Sequence, residues 1–251
     1  MANAKWIKEI RSLASKRNRE DTGLFVAEGP KVVADLIAAG WTFSAIYASQ
    51  TGYDHLTERL KPVATVIPDS VLERISFLQH PQGVVGLFHL PEAESPLPSD
   101  DELCLALDGV QDPGNVGTII RIADWFGISR IYCSPDTADA YAPKVVQASM
   151  GSIARVKMVY TDLPALIASL PREIPVCGTL LDGESIYGQQ LPTNGLIVMG
   201  NEGNGISPEL RGMVSRKLLI PNFRPAGQRA ESLNVAVATA IVCSEFRRKS
   251  E

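Results

Sequence analysis

The sequence predicts an α/β fold with two domains, a small N-terminal α/β unit followed by a larger unit built on a mostly parallel sheet. Three observations predict this. Short apolar runs alternate along the whole chain with segments whose apolar residues recur at helical spacing. In the second half the runs are continuously hydrophobic and separated by helical patterns, as strands covered on both faces must be. Between the halves, PEAESPLPSD (residues 91–100) has three prolines and almost nothing to bury, so it reads as a semi-extended linker. The expected boundaries are 1–92 for the first domain, 93–101 for the linker and 102–251 for the second domain.

The elements follow in order. Trp6, Ile10 and Leu13 recur at helical spacing, with lysines and arginines on the other faces. Residues 24–27 are a short apolar strand. Gly29 and Pro30 then start a helix with the stripe Val33, Leu36 and Ile37, closed by Gly40. Residues 43–48 alternate and read as strand, and 65–67 are another. Pro68, Asp69 and Ser70 open a short helix through Ile75, and 83–90 form the last strand of the unit. The second domain has strands at 103–107, 130–133, 155–159, 176–180, 196–199 and 218–220. Helices are expected over 115–126, from Pro143, from Asp162, from Ser207 and over 233–247.

The chain has 251 residues, 45% of them hydrophobic and 21% charged, a balance that buries a core rather than leaving the chain disordered. No apolar run approaches the ~20 residues of a membrane helix, and the N-terminus has no apolar core of a secretory signal. Four scattered cysteines, Cys104, Cys133, Cys177 and Cys243, form no C-x-x-C pair and read as buried thiols in a reducing cytoplasm. The three histidines are isolated from any cysteine or carboxylate cluster, so no metal is expected. Net charge is -4, yet its distribution is bipolar. Lys5, Lys8, Arg11, Lys16, Arg17 and Arg19 crowd the first segment, and Arg211, Arg216, Lys217, Arg224, Arg229, Arg247, Arg248 and Lys249 the last. Such a chain can present a basic face to a polyanion; a solvated amphipathic helix at each end is the alternative.

Three loops, each directly after a strand, are where an open α/β sheet places ligands. The first is LDGVQDPGNVGTIIRIAD (107–124). Its Asp-Pro-Gly makes a turn, Asn115 is placed to cap the helix that follows, and Arg121 projects near a helix N-terminus that favours anions. A surface pair with Asp124 is the other reading of Arg121. The second loop is GNEGNGIS (200–207), whose glycines permit close backbone approach around Glu202. It is neither a dinucleotide fingerprint nor a phosphate-binding P-loop. The third is IPNFRPAGQRAESLNVAVATAI (220–241). Ser232 and Asn234 sit where its helix starts, and Ser232 is equally readable as a plain cap. No Ser-His-Asp set, paired carboxylates or zinc ligands are evident, so hydrolysis is not indicated.

Together these three loops closely resemble, in order and spacing, the motifs of the SpoU-TrmH family of RNA ribose 2′-O-methyltransferases. The first domain, with FVAEGPKVVADLI (25–37) and HPQGVVGLF (80–88), also resembles the small ribosomal-protein-like RNA-binding domain that precedes the catalytic domain in many members. The resemblance covers nearly the whole chain. It implies a C-terminal domain with a deep trefoil knot, a departure from the rule against knotted chains, and a homodimer. It implies S-adenosylmethionine as methyl donor, with no metal. Thr179, Leu180, Gly200, Asn201, Gly203, Ile220 and Leu233 would hold the donor.

In that reading Arg121 clamps a phosphate or polarises the 2′-hydroxyl, since a guanidinium stays protonated and is a poor base. Asn115 orients the ribose or Arg121. Glu202 fixes the second loop or a partner arginine, and Ser232 and Asn234 brace the third. Lys5, Lys8, Arg11, Arg17, Arg19, Arg224 and Arg229 are the expected RNA contacts, with ribosomal RNA preferred over transfer RNA. One departure is the stretch NFRPAGQRAE, longer and richer in arginine than the methionine-containing stretch of many members; Arg224 and Arg229 either touch RNA or fold back on the pocket. Two other function classes remain in view: a non-catalytic structured-RNA-binding protein of the same fold, and a nicotinamide-dependent oxidoreductase. The missing G-x-G-x-x-G counts against the latter.

Overall fold

The computed structural model describes residues 4–92, 97–224 and 232–248. In chain order the first stretch contains α1 (Ala4–Ser12), α2 (Lys16–Thr22), β1 (Leu24–Glu28), α3 (Pro30–Ala38), β2 (Phe43–Ala48), α4 (Gln50–Asp54), β3 (Ala64–Val66), α5 (Asp69–Ile75) and β4 (Val84–His89). Next come β5 (Leu103–Asp108), α6 (Pro113–Trp125), β6 (Arg130–Cys133), α7 (Pro143–Ala148), β7 (Lys157–Tyr160), α8 (Leu163–Ser169), β8 (Val176–Ser185), β9 (Gly195–Gly200), α9 (Pro208–Met213) and β10 (Arg216–Leu219). The helix α10 (Val235–Arg247) ends the described chain.

The chain divides into two compact units. One comprises Met1–Glu92 together with Asp139–Arg155, and the other Ala93–Ala138 with Val156–Glu251. The sequence places 102–251 in one continuous domain, whereas segment 139–155, with α7, groups with the first unit. The reason is aromatic packing. Phe25 of β1 lies 5.2 Å from Tyr141 and 5.6 Å from Trp41, between ring centroids, and Trp41 Nε1 donates to the Ala154 carbonyl at 3.1 Å. Nothing in the local pattern of 139–155 encodes that destination.

The first unit has a four-stranded sheet in the order β1-β4-β2-β3, with β4 antiparallel to β1 and β2. On one side Ile7, Ile10 and Leu13 pack with Leu72, Ile75, Val85 and Leu87, so the apolar stripe at helical spacing is the buried face of α1. The helix α2 is absent from the sequence reading because KRNREDT has no apolar residue to show a period. Arg19 holds it instead. Its guanidinium donates to the carbonyls of Leu13 (2.7 Å) and Ala14 (2.9 Å), just past the end of α1, and forms a buried ion pair with Asp139. Arg19 is 2% exposed. This corrects its assignment as an RNA contact, because a guanidinium spent on buried carbonyls and a carboxylate has no face left for phosphate. The sequence reading also lacks α4, a short helix capped by the Ser49 hydroxyl, which accepts from Gly52 N at 3.0 Å.

The second unit holds a six-stranded sheet in the order β10-β8-β9-β5-β6-β7, with every neighbouring pair parallel. One face is covered by α8 and α9 through Leu163, Leu166, Ile167 and Leu210. The helices α6 and α10 pack on each other and bury Val116, Ile119, Ile120, Val242, Cys243 and Phe246. The chain runs outward from β5 through β6 to β7. It then returns to build β9 on the other flank of β5. The strand order therefore reverses between β5 and β9, which is where open parallel sheets bind ligands. Asp108 and Gly200 pair at the carboxyl ends of these strands, bringing the first two motif loops side by side. The strand β8 continues to Ser185, past the expected end at 180. Gly178 and Glu184 face the consecutive residues Lys217 and Leu218 of β10, so residues 179–183 bulge out of that ladder.

Two outcomes follow from this packing. Removing one partner of a buried ion pair strands the other charge, so Asp139→Ala should cost about 3 kcal/mol in urea-induced unfolding. A cost near zero would mean that segment 139–155 does not belong to the first unit. The four cysteines are buried, and burial pushes Cys104 and Cys243 up to about 12, Cys177 up to about 11 and Cys133 higher than its usual value. A chromogenic disulfide reagent at about pH 8 should label none of them in the native protein and all four after denaturation, because only accessible thiolate reacts.

Candidate active site

Asp108 ends β5, and its Oδ2 accepts the backbone N–H of Ser207 at 2.6 Å. This ties the start of the first loop to the end of the second. Asp112 caps α6, its Oδ1 accepting from Asn115 N at 2.8 Å. The expected cap, Asn115, is instead the third residue of the helix. Pro113 and Gly114 lengthen the helix by two residues, Pro113 having no N–H to lose. Asn115 is thereby free to use its side chain elsewhere.

That side chain joins all three loops. Asn115 Nδ2 donates to Glu202 Oε1 at 2.9 Å, and Asn115 Oδ1 accepts from Asn234 Nδ2 at 2.9 Å. Asn234 Oδ1 in turn caps α10, accepting from Ala236 N (3.0 Å) and Val237 N (3.2 Å). The amide orientations are fixed by chemistry. A carboxylate only accepts and the helix amides only donate, so each asparagine fits in one sense. Among the described residues Glu202 meets an asparagine here, where the sequence left open a partner arginine. Asn234 is the cap of α10, so Ser232 does not fill that role; Ser232 and Leu233 are exposed just before it.

The second loop is shaped from within. Asn201 and Gly205 pair across it through two backbone hydrogen bonds of 2.9 Å. A Cβ on Gly200 would run into the backbone of Gly205 and Ile206, so no larger residue fits there. The Asn201 carboxamide is used inside the loops. Its Oδ1 accepts from Gly203 N (2.9 Å) and Asn204 N (3.0 Å), and its Nδ2 donates to the Gly109 carbonyl at 2.7 Å. Glu202 thus rides on a turn closed by its own neighbour.

Arg121 is exposed on α6, two turns beyond the cap, with no hydrogen bond or ion pair among the described residues. Its alternative pairing with Asp124 is not formed. Thr179 donates to the Val198 carbonyl at 3.4 Å, and Leu180 is buried. Both lie in or beside the bulge of β8, whose residues 179–183 have no partner in the β10 or β9 ladders. Ile220 follows β10 directly. A polar concavity of about 530 Å3 lies along β8 and β10, lined by Asp182, Glu184, Arg216 and Lys217 among others. None of the predicted site residues lines it. Asp182 there pairs with Lys217 (2.9 Å) and Arg211 (2.8 Å), and the Lys217 hydrogen bond holds its carboxyl below the usual range.

The expected RNA contacts fare unevenly. Lys5 and Arg17 are exposed but face Glu9 (4.0 Å) and Asp21 (3.7 Å) one helical turn on. Such exposed pairs are weak and dissociate readily before a polyanion. Lys8 is exposed. The Arg11 guanidinium lies over the Phe77 ring at 4.4 Å and donates to the Ser76 carbonyl. Arg224 is exposed beside Phe223, and Arg229 lies outside the described residues. Asp108 and the β8 bulge are missing from the sequence reading. An acid at a strand's carboxyl end, at the start of a motif loop, was the available signal for the first. The second depends on register alone.

Residues 102–244 match the SpoU rRNA Methylase family, and residues 4–86 match the MRM3-like substrate binding domain. The chain is 29% identical to the 23S rRNA (guanosine(2553)-2′-O)-methyltransferase RlmP of Bacillus subtilis, over 96% of this chain and 95% of that one. A Porphyromonas gingivalis protein assigned to the TrmH family of RNA methyltransferases superposes with a TM-score of 0.87 at 41% identity, over 99% of both chains. An AdoMet-bound rRNA methyltransferase from Sinorhizobium meliloti superposes with a TM-score of 0.86 at 31% identity, over 99% of this chain and 96% of that one. With its second unit matched almost end to end and its motif side chains converging on one bridge, this chain belongs to the SpoU rRNA methylase family.

Proposed function

We propose that this protein methylates the ribose 2′-hydroxyl of structured RNA, ribosomal RNA in preference to transfer RNA, with S-adenosylmethionine as donor. The observation that supports it most directly is the bridge from Glu202 through Asn115 to Asn234, which joins all three motif loops at the strand-order reversal. The bulge at 179–183 supports the donor site. Residues 179–183 have no register partner in either ladder, and they lie in the strand next to Gly200 and Ile220. Thr179, Leu180, Gly200, Ile220 and Leu233 would hold the donor mainly through main-chain groups. Asn201 and Gly203 serve the same pocket by shaping its loop.

When bound, the donor supplies a methyl group to an oxygen nucleophile. The chain's own part is alignment and electrostatics. Arg121, unpartnered among the described residues and permanently charged, holds the phosphate beside the target ribose and polarises the hydroxyl. Asn115 cannot swing toward substrate without releasing Glu202 or Asn234, so its role is to lock the three loops in register. Ser232, exposed at the mouth of the third loop, is free to meet the ribose. Lys5, Lys8, Arg11, Arg17, Arg224 and Arg229 supply the electrostatic footprint on RNA.

Further parts of the reading come from family membership. The C-terminal segment threads a trefoil knot; residues 225–231 of the third loop lie outside the described residues. The protein acts as a homodimer in the cytoplasm. No helix among the described residues is long and apolar enough to cross a membrane, and no group of three or more metal-binding side chains occurs among them.

Arg121→Ala should abolish transfer of labelled methyl to an unmodified 23S rRNA transcript, while calorimetry finds donor affinity within about threefold of wild type. Comparable transfer by that variant would remove Arg121 from the mechanism. Asn115→Asp sets a second carboxylate against Glu202, and like charges at hydrogen-bond distance repel. Its kcat should fall by about tenfold or more, and a wild-type kcat would show that the bridge is not needed.

A further inference from the structure

The turn that follows β6 makes a second, independent set of contacts with the first motif loop. Ser134 N donates to the Leu107 carbonyl at 3.0 Å, and Ala138 N to the Val110 carbonyl at 2.9 Å. The Thr137 hydroxyl also reaches Leu107 O, at 3.0 Å. Between these, Ser134 Oγ accepts the backbone N–H of Gly109 at 2.8 Å and donates to Asp136 Oδ1 at 2.6 Å. Ser134 and Thr137 are buried, although neither belongs to any motif of the reaction.

Gly109 is therefore gripped from both sides. Its N–H is held by Ser134, and its carbonyl accepts from Asn201 Nδ2 at 2.7 Å. It sits at φ +67°, and a Cβ there would meet Asp136 Oδ2 at 3.0 Å. A glycine in this region has many alternative conformations, and the Ser134 hydroxyl and the Asn201 amide together select among them. From Asn201 the contacts continue to Gly203 N and Asn204 N, around the turn that carries Glu202. Glu202 meets Asn115, and Asn115 meets Asn234.

We propose that Ser134 is a positioning residue for methyl transfer, acting through Gly109 and Asn201 on the turn that presents Glu202. This rests on the methyltransferase reading above. Losing the hydroxyl leaves a buried N–H unpaired and frees the Gly109 peptide to rotate. The Asn201 amide then loses a fixed acceptor, and the three-loop bridge loses its register. Asp136 acts one step further out, orienting the Ser134 hydroxyl so that its lone pair faces Gly109.

The test uses the full chain, labelled S-adenosylmethionine and an unmodified 23S rRNA transcript. Ser134→Ala should lower kcat about tenfold while the KM for RNA stays within about twofold, the pattern of a displaced reacting geometry rather than lost binding. Ser134→Thr keeps the hydroxyl and should recover kcat to within about threefold of wild type. In a double-mutant cycle, Ser134→Ala should add less than about twofold to the loss caused by Asn201→Ala, since both interrupt one path. If Ser134→Ala does not fold, the exposed Asp136→Ala should still lower kcat about threefold with RNA KM unchanged. The proposal is overturned if kcat survives in both alanine variants, if threonine fails to rescue, or if the losses multiply in the cycle. Wild-type protein that transfers no label overturns the methyltransferase reading and this inference with it. An active wild type with unaltered Ser134→Ala kinetics overturns this inference alone.

Discussion

Two asparagine carboxamides and one carboxylate hold together three loops that are far apart in the chain. The bridge from Glu202 to Asn115 to Asn234 spans 119 positions of sequence at its longer step. Each member also has a local duty: Asn234 caps α10, Asn115 stands in the first turn of α6, and Glu202 sits on a turn closed by Asn201. Local and long-range bonds therefore fix the same atoms. An asparagine that caps a helix cannot move away from its partner without uncapping that helix, which costs about 1 kcal/mol. Hydrogen bonds cross-link the described parts of these loops, although they are rich in glycine and amides, residue types that otherwise give mobile loops.

In the proposed transfer this cross-linking suits a step that needs from the protein neither a covalent intermediate nor a strongly basic side chain. What it supplies is placement. In the function proposed above, Arg121, a guanidinium without a protein partner among the described residues on a helix whose start is fixed by Asp112, meets the anionic substrate. In the same proposal the β8 bulge serves the donor, residues 179–183 being left out of the β9 and β10 ladders. Both features depend on the strand order, because only the reversal between β5 and β9 brings the carboxyl ends of the relevant strands together.

The first unit rests on a different constraint. Its second helix has no apolar face and is held by a buried arginine that satisfies the end of the preceding helix. The partner carboxylate, Asp139, comes from the other half of the sequence. A basic cluster that reads as a polyanion surface therefore contains a structural cation. The distinction between Arg19 and its neighbours Lys16 and Arg17 is invisible in charge patterning. It depends on which side of α2 faces the protein.

By itself, the sequence determined the type and order of most elements, because apolar periodicity and cap residues are local signals. It also determined the three motif loops, since glycines, amides and one arginine at fixed spacing are local as well. Tertiary structure alone decided which side chains in those loops touch and that β8 runs on as a bulge. It also decided that segment 139–155 joins the first unit and that Arg19 is buried. These outcomes depend on contacts between residues dozens to more than a hundred positions apart. Hydrogen-bond partners and burial are set by the whole packed arrangement, and no window along the chain contains it.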